Sequence, residues 1–216
     1  MSMKTQELKN QVRQSMALLI GAADELRDLD QVLGDGDLGI TISAGAKAVI
    51  EALDDVADDS APSDLTRACA KAFANANPST MAALVAGGLL QGSKAWSGKD
   101  EITVADAELF IRSAADSISH RGKSQVGDKT ILDAIVPAAD ALAASPQSPI
   151  DAAIEAAADA VIRTRDLQSK RGRASWLQDR SIGLQDPGAT AFLRMLEAWR
   201  DAENGDTGPK AAVYDG

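Results

Sequence analysis

The chain has 216 residues, of which 45% are apolar and only 3% aromatic, so one compact domain must build its core from Ala, Leu, Ile and Val. Asp plus Glu number 32 against 22 Lys plus Arg, and the formal charge of −10 excludes a broad basic footprint for nucleic acid. No apolar run reaches the ~18 residues of a membrane span. A single cysteine, Cys69, and a single histidine, His120, exclude an intrachain disulfide, a zinc knuckle and a multi-His metal centre.

The opening residues, Met1 to Gln6, lack the apolar stretch of a signal peptide, so a cytoplasmic protein is expected. Leu8, Val12, Met16, Leu19, Ala23 and Leu26 follow the helical period and predict a first helix. Ile42, Ala46, Val49, Ile50, Leu53 and Val56 predict a second. Pro62-Ser63-Asp64 opens a third over Leu65 to Asn75, and Thr80 to Ala95 is a small-residue helix. Thr103, three residues before Asp106, is a cap for Val104 to Ser119. A helix over Asp128 to Ala144 follows, with Asp128 as its cap. Ser148-Pro149 starts Ile150 to Leu167, and Asp186-Pro187 starts Ala189 to Ala202, with Phe192, Leu196 and Trp199 on one face. No period-2 strand is expected. The reading is therefore all-α: about eight helices, joined by short connections into an antiparallel bundle over residues 1–203. Residues 204–216, polar and glycine-bearing, are expected to form a mobile tail. Cys69 is expected in the core, His120 at a helix end, and Trp96 and Trp176 beside loops, capping the core.

Three polar, glycine-bearing loops interrupt this pattern: 29–39, 121–130 and 169–188. In the first, Asp35 and Asp37 flank Gly36, and Asp30 lies within reach if the loop curls. Three converging carboxylates repel and raise one another's pKa values unless a cation sits among them. All-oxygen ligation favours Mg²⁺ or Ca²⁺. An EF-hand is rejected, because counting from Asp35 its sixth and twelfth positions are Ile40 and Ala46. A helix begins just after Gly39, where free N–H groups and the Thr41 hydroxyl suit an anion. Metal-bridged phosphate and a merely solvated acidic turn both remain open for this loop alone.

The second loop carries Gly127-Asp128-Lys129-Thr130, where Lys129 and Thr130 either face an anion or simply start a helix; the spacing of a P-loop is absent. The third carries Lys170-Arg171-Gly172-Arg173, either a helix end completing its dipole or an arginine for phosphate charge. Asp186 is either a cap or a nucleotide contact. Charge favours joining the loops. Three Asp carry −3, ADP or ATP adds roughly −3 to −4, two Mg²⁺ return +4, and a lysine and an arginine bring the sum near zero, as a phosphoryl-transfer site requires.

These residues resemble a known family. Asp30 with Gly34-Asp35-Gly36-Asp37-x-Gly39, Arg121-Gly122-Lys123, Gly127-Asp128-Lys129-Thr130-x-x-Asp133, Pro137, Gly172-Arg173-Ala174-Ser175 and Arg180-Ser181-Ile182-Gly183-x-Gln185-Asp186-Pro187-Gly188-Ala189-Thr190 are similar to the L subunit, the nucleotide-binding domain, of dihydroxyacetone kinases. The order and spacing hold over roughly residues 5–202. The resemblance implies an antiparallel eight-helix up-and-down barrel with ADP or ATP at one end. It implies that Asp30, Asp35 and Asp37 hold two Mg²⁺ bridging the phosphates. Leu38, Gly39, Ile40 and Thr41 would lie along the nucleotide. Ser79, Thr80 and Thr130 would contact it, and Gly122 and Ile131 would line its base or sugar side. Arg173 and Asp186-Pro187-Gly188 would close the site, with Arg173 and Lys129 offsetting charge in transfer. The sugar substrate would sit on a separate K-type subunit. A phosphotransferase-system donor and a homodimer are further expected partners; nucleic acid and membrane are not.

Two departures stand out. The family's glycine-rich stretch before its fourth helix reads Asn77-Pro78-Ser79-Thr80-Met81 here, and Leu38 and Leu184 replace histidines frequent in bacterial L subunits. An altered substrate, such as a four-carbon ketose, or an altered donor follows as an expectation. The rival function is an ADP-binding regulatory module that signals to a transcription regulator without turnover.

Overall fold

A three-residue ribbon precedes the helices. β1 (Ser2–Lys4) pairs antiparallel with β2 (Glu101–Thr103), placing Met3 opposite Ile102. These strands were not expected, because three residues are too few to display an alternating pattern. The structure, a computed structural model, describes residues 2–206. Of the expected tail, residues 207–216 lie outside the described residues.

The first expected helix divides. α1 (Thr5–Leu19) tightens into a 3-10 turn at Ile20–Ala22, and α2 (Ala23–Leu33) resumes beyond it. The turn is only three residues long, so the apolar spacing runs through the break with little sign of it. Then come α3 (Leu38–Ala52), α4 (Pro62–Ala76), α5 (Thr80–Ala95), α6 (Val104–Gly122), α7 (Leu132–Ala144), α8 (Pro149–Arg163) and α9 (Pro187–Asn204). The fold is all-α as expected, with nine helices among the described residues because the first is bent into two.

Start signals written in side chains are met in most of these helices. Thr103 and Asp106 form a reciprocal capping box on α6. Asp186 accepts from Ala189 N at 2.7 Å to cap α9, with Pro187 at the first helical position. Pro62 and Pro149 likewise open α4 and α8. The exception is α7, which begins at Leu132 rather than Asp128. Lys129 has φ +61°, a left-handed backbone that no helix continues.

Each helix from α3 to α9 packs beside the next, and α1 lies against both α3 and α9, which closes a ring. Leu8, Leu26, Leu53 and Leu65 fill the side built from α1 to α4. Across the ring, Ala134, Ala138, Ala153, Ala157, Ala160 and Ala189 let α7, α8 and α9 approach closely around Val161 and Leu193. Burial raises the Cys69 thiol to about 12, as fits a core thiol. His120 lies in the last turn of α6. Trp96 is buried, but Trp176 is 80% exposed and does not cap the core.

One buried ion cluster locks α9 to α2. Arg194, 4% exposed, donates to Glu25 at 2.6 and 2.7 Å and to Glu197 at 2.7 Å. Burial opposes its charge, but the two carboxylates outweigh that and hold the guanidinium's pKa above its usual value.

Candidate functional site

In a ring of alternating helices, every second N-terminus falls at the same end. Here the starts of α3, α5, α7 and α9 meet there, beside the C-terminus of α2. Leu38 N, opening α3, donates to Asp30 Oδ2 at 3.2 Å. Thr41 Oγ1 donates to Ser79 Oγ at 3.3 Å and accepts from Asn77 Nδ2 at 2.9 Å, joining α3 to the start of α5. Ser79 in turn caps α5 by accepting from Ala82 N at 3.0 Å. A Cβ on Gly188 would stand 3.2 Å from Met81 Cε and 3.4 Å from Ile131 N, which brings the starts of α9, α5 and α7 together. Four helix N-termini at one spot sum their partial positive charge, a setting that favours a polyanion.

Opposite this lies the acid. One carboxylate oxygen from each of Asp30, Asp35 and Asp37 falls within 4.8 Å of the others. Asp30 is delivered by the last turn of α2, and Asp35 and Asp37 by the turn into α3. Two glycines make this turn possible. A Cβ on Gly34 would lie 2.8 Å from Asp30 Oδ1, in the space that oxygen occupies. A Cβ on Gly39 would lie 2.1 Å from Ala23 O, where α3 crosses α2. Burial first, and the Asp30 charge second, push the Asp37 carboxyl above its usual range. Asp37 precedes α3 as its N-cap residue without a side-chain capping bond. Arg173 reaches across from the third loop and pairs with Asp35.

Magnesium–oxygen bonds are about 2.0–2.1 Å long, so oxygens sharing an ion lie within about 4 Å of each other. Three oxygens within 4.8 Å need only small side-chain adjustments to meet that, and a hard all-oxygen donor set beside an arginine fits Mg²⁺ bridged to phosphate.

The other expected residues are placed as follows. Ile40 is exposed on the first turn of α3, while Leu38 and Gly39 are buried against α2. The Thr41 side chain is 1% exposed, with its hydroxyl spent on Asn77 and Ser79. Thr80 is exposed at the start of α5. Gly122 ends α6 and faces Leu84 of α5. Thr130 N donates to Asp133 Oδ2, and Thr130 Oγ1 accepts from Leu132 N. Asp186, Pro187 and Gly188 are buried at the start of α9. Burial foremost, with a further push from Asp133, raises Asp186 to about 7 against the pull of Ala189 N and Lys129.

Lys129 is not brought to the carboxylates. It is 2% exposed, and its ammonium donates to the carbonyls of Leu167, at 3.1 Å, and Ser181. Asp128 does not cap α7. It accepts from Arg171 Nε at 3.0 Å and from Gln125 N at 3.2 Å. Burial opposes its charge, yet these partners hold its pKa below the usual value. Residue-by-residue reading passed over Asn77, Met81 and the clamp by Asp133, which takes Gly127 N and Thr130 N at 2.6 Å each. Only the Asp three residues after Thr130 hinted at that clamp.

A ring of helices with an acidic mouth at the end where its N-termini gather defines a helical domain whose donor set suits hard cations and the polyanion they bridge. Residues 32–201 match the DAK2 domain family. The chain is 36% identical over 182 residues to the L-erythrulose 1-kinase of Mycolicibacterium smegmatis, covering 81% of this chain and 31% of that one. It is 28% identical over 203 residues to the ADP-binding subunit DhaL of the PEP-dependent dihydroxyacetone kinase of Escherichia coli, covering 91% and 96%. It is 36% identical over 189 residues to the corresponding subunit of kinase 1 of Listeria innocua, covering 82% and 86%. Among solved structures, the dihydroxyacetone kinase from C. freundii in complex with AMP-PNP and Mg²⁺ shares the fold with a TM-score of 0.70 at 23% identity, covering 91% of this chain and 33% of that one. The chain belongs to the DAK2 domain family, that of the DhaL subunits of dihydroxyacetone kinases. It spans about a third of the M. smegmatis erythrulose kinase and nearly all of the E. coli subunit.

Proposed function

We propose that this chain is the nucleotide-binding subunit of a dihydroxyacetone-type kinase. It holds ADP or ATP with two Mg²⁺ and transfers a phosphoryl group to dihydroxyacetone, or a related short ketose, carried by a separate K-type subunit. The observation that carries this reading is the meeting of Asp30, Asp35 and Asp37 with Arg173 at the end where four helices begin. Magnesium held there supplies Lewis-acid polarisation and in-line alignment of the transferring phosphoryl group. Asp30, Asp35 and Asp37 bind and orient the cations. Arg173 shifts from Asp35 toward the charge that develops in transfer. The backbone of Leu38 to Thr41 runs along the phosphates; Thr41 holds this turn in place, since its hydroxyl meets Asn77 and Ser79 and its N–H donates to Asp37 O at 2.9 Å. Ser79 and Thr80 meet the phosphates at the start of α5. Gly122, Thr130 and Ile131 line the base and sugar side, and Asp186 to Gly188 close it.

A protein partner is supported by apolar surface left in water beside this mouth. Val32 ends α2, Ile40 opens α3, and Trp176 and Ile182 follow Arg173; each is more than about half exposed or close to it. The erythrulose kinases among the relatives act on a four-carbon ketose by name, which supports that substrate class beside dihydroxyacetone. The E. coli relative is PEP-dependent by name, and a phosphotransferase-system donor recharging bound ADP is the corresponding donor. No described helix is long and apolar enough to cross a membrane, and a cytoplasmic location completes the proposal.

The test is reconstitution with a K-type subunit, offering dihydroxyacetone and erythrulose, with ATP or a PEP-driven donor. Turnover that disappears in Asp30→Asn is expected. Tight Mg-ADP binding with no turnover under any combination would instead favour the regulatory module.

A further inference from the structure

Arg173 sits on an exposed loop, yet it is aimed at Asp35 across a gap between two connections of the ring. What aims it lies at the loop's base. Lys129 is buried there, and the two carbonyls that its ammonium binds, Leu167 O and Ser181 O, bracket residues 168–180, the segment that carries Arg173. We propose that Lys129 is a positioning residue that closes the neck of this loop and so sets the reach of Arg173 to the carboxylate cluster.

Carbonyl oxygens turned toward one another in a dry neck repel unless a cation lies between them. Lys129 supplies that cation on a left-handed backbone, φ +61°, fixed by the turn before α7. Neighbouring contacts finish the neck. Ser169 N donates to Ser181 Oγ at 2.9 Å, and Gly183 N donates to Arg165 O at 2.8 Å. On the outer side, Lys170 N donates to Asp128 O at 3.1 Å, Lys170 Nζ to Gly127 O at 2.9 Å, and Arg171 Nε to Asp128 Oδ2 at 3.0 Å. Residues 127–129 thus grip both strands of the loop. Beyond the grip, Gly172 turns the chain at φ +62°, and Arg173 follows at once. The charged groups felt by the ammonium are Asp186, which favours its charge, and Arg165, which opposes it. Lys129 therefore acts through Arg173 rather than on the phosphates.

This inference rests on the kinase reading for its rate effect but not for its structural effect, and the experiment separates the two. Lys129→Met keeps most of the side chain's volume and removes the charge. In the reconstituted kinase, Arg173→Ala is expected to lower kcat by roughly 100-fold. Lys129→Met is expected to lower kcat by at least about 10-fold with KM for nucleotide little changed, and the double variant is expected to be no slower than Arg173→Ala alone. Losses that multiply in the double variant would overturn the proposal. Independently of turnover, hydrogen exchange at Ser169 and Gly183 should quicken by about 10-fold or more in Lys129→Met while the α3 amides hold their rates. Unchanged exchange overturns the neck whether or not the chain is a kinase, whereas quickened exchange in a protein without turnover leaves the neck and discards the kinase reading. Should Lys129→Met fail to fold, Ser181→Ala, which removes the tie to Ser169 N, is put through the same cycle: a loss of kcat absorbed by Arg173→Ala supports the neck, and a multiplicative loss refutes it.

Discussion

Two acidic connections of this protein have opposite chemistry. Residues 30–39 hold three Asp, residues 127–133 hold two, and each segment leads into a helix. In the second loop the protein answers its own carboxylates. Asp133 takes two backbone N–H groups at 2.6 Å, and Asp128 takes Arg171 and Gln125 N. In the first, three carboxylates converge within 4.8 Å, with one arginine and one N–H between them, and Asp37 is left with a raised pKa. The difference teaches that acid count does not mark a cation site. Convergence with too few internal partners does, because repulsion among the remaining charge is relieved only by something positive that arrives.

The sharpest way to break the comparison is to neutralise one carboxylate in each loop. Asp37→Asn should weaken Mg-ADP binding by more than about 100-fold, roughly 3 kcal/mol, in titration calorimetry. The melting temperature without ligand should not fall, since a repelling charge has gone. If that apo melting temperature drops by several degrees, the first loop is internally satisfied after all. Next in size is the pH response of Asp186. Its folded pKa, pushed up to about 7 by burial, lies above that of an exposed carboxyl, so its stabilisation is complete below the unfolded value and is lost as pH rises through 7. Denaturant unfolding of the ligand-free protein should show wild type losing a few kcal/mol relative to Asp186→Asn between pH 5 and 8. Asn is an equally good cap. A constant difference across that range would show that burial does not keep Asp186 protonated.

Smaller still, Asp133→Ala should cost about 2 kcal/mol of stability by stranding Gly127 N and Thr130 N. The smallest effect belongs to Asp128→Asn, about 1 kcal/mol at pH 7. Because its folded pKa is depressed, the stability Asp128 contributes is present above the unfolded value and lost as pH falls through the folded one, so the variant's deficit should vanish in acid. A deficit that persists at pH 3 would mean that its hydrogen bonds, rather than its charge, hold the loop.

Most helices were legible because apolar residues recur with the helical period and because Thr103, Pro62, Pro149 and Asp186 announce their starts. The failures share a cause. Asp128 looks like a cap, but the left-handed turn at Lys129 is a backbone property that its side chain does not advertise. The carboxylate cluster was readable because its members are close in sequence. The Thr41–Asn77–Ser79 contacts, the neck of the Arg173 loop and the Arg194–Glu25 clamp join residues far apart in the chain, and no local pattern encodes such pairs. Trp176 invites a core assignment by its size, yet it lies on the Arg173 loop outside the ring and stays in water.

The contact of α1 and α2 with α9 has a consequence for biosynthesis. Glu25 and Arg194, separated by 169 positions, meet only when the closing helix has left the ribosome. Until then neither the acidic mouth nor the arginine that faces it exists as a finished cup, so nucleotide cannot guide the earlier stages of folding. Such long-range closure slows folding, and a nascent chain stalled before α9 would be an open sheet of helices with its alanine seams exposed to chaperones and proteases.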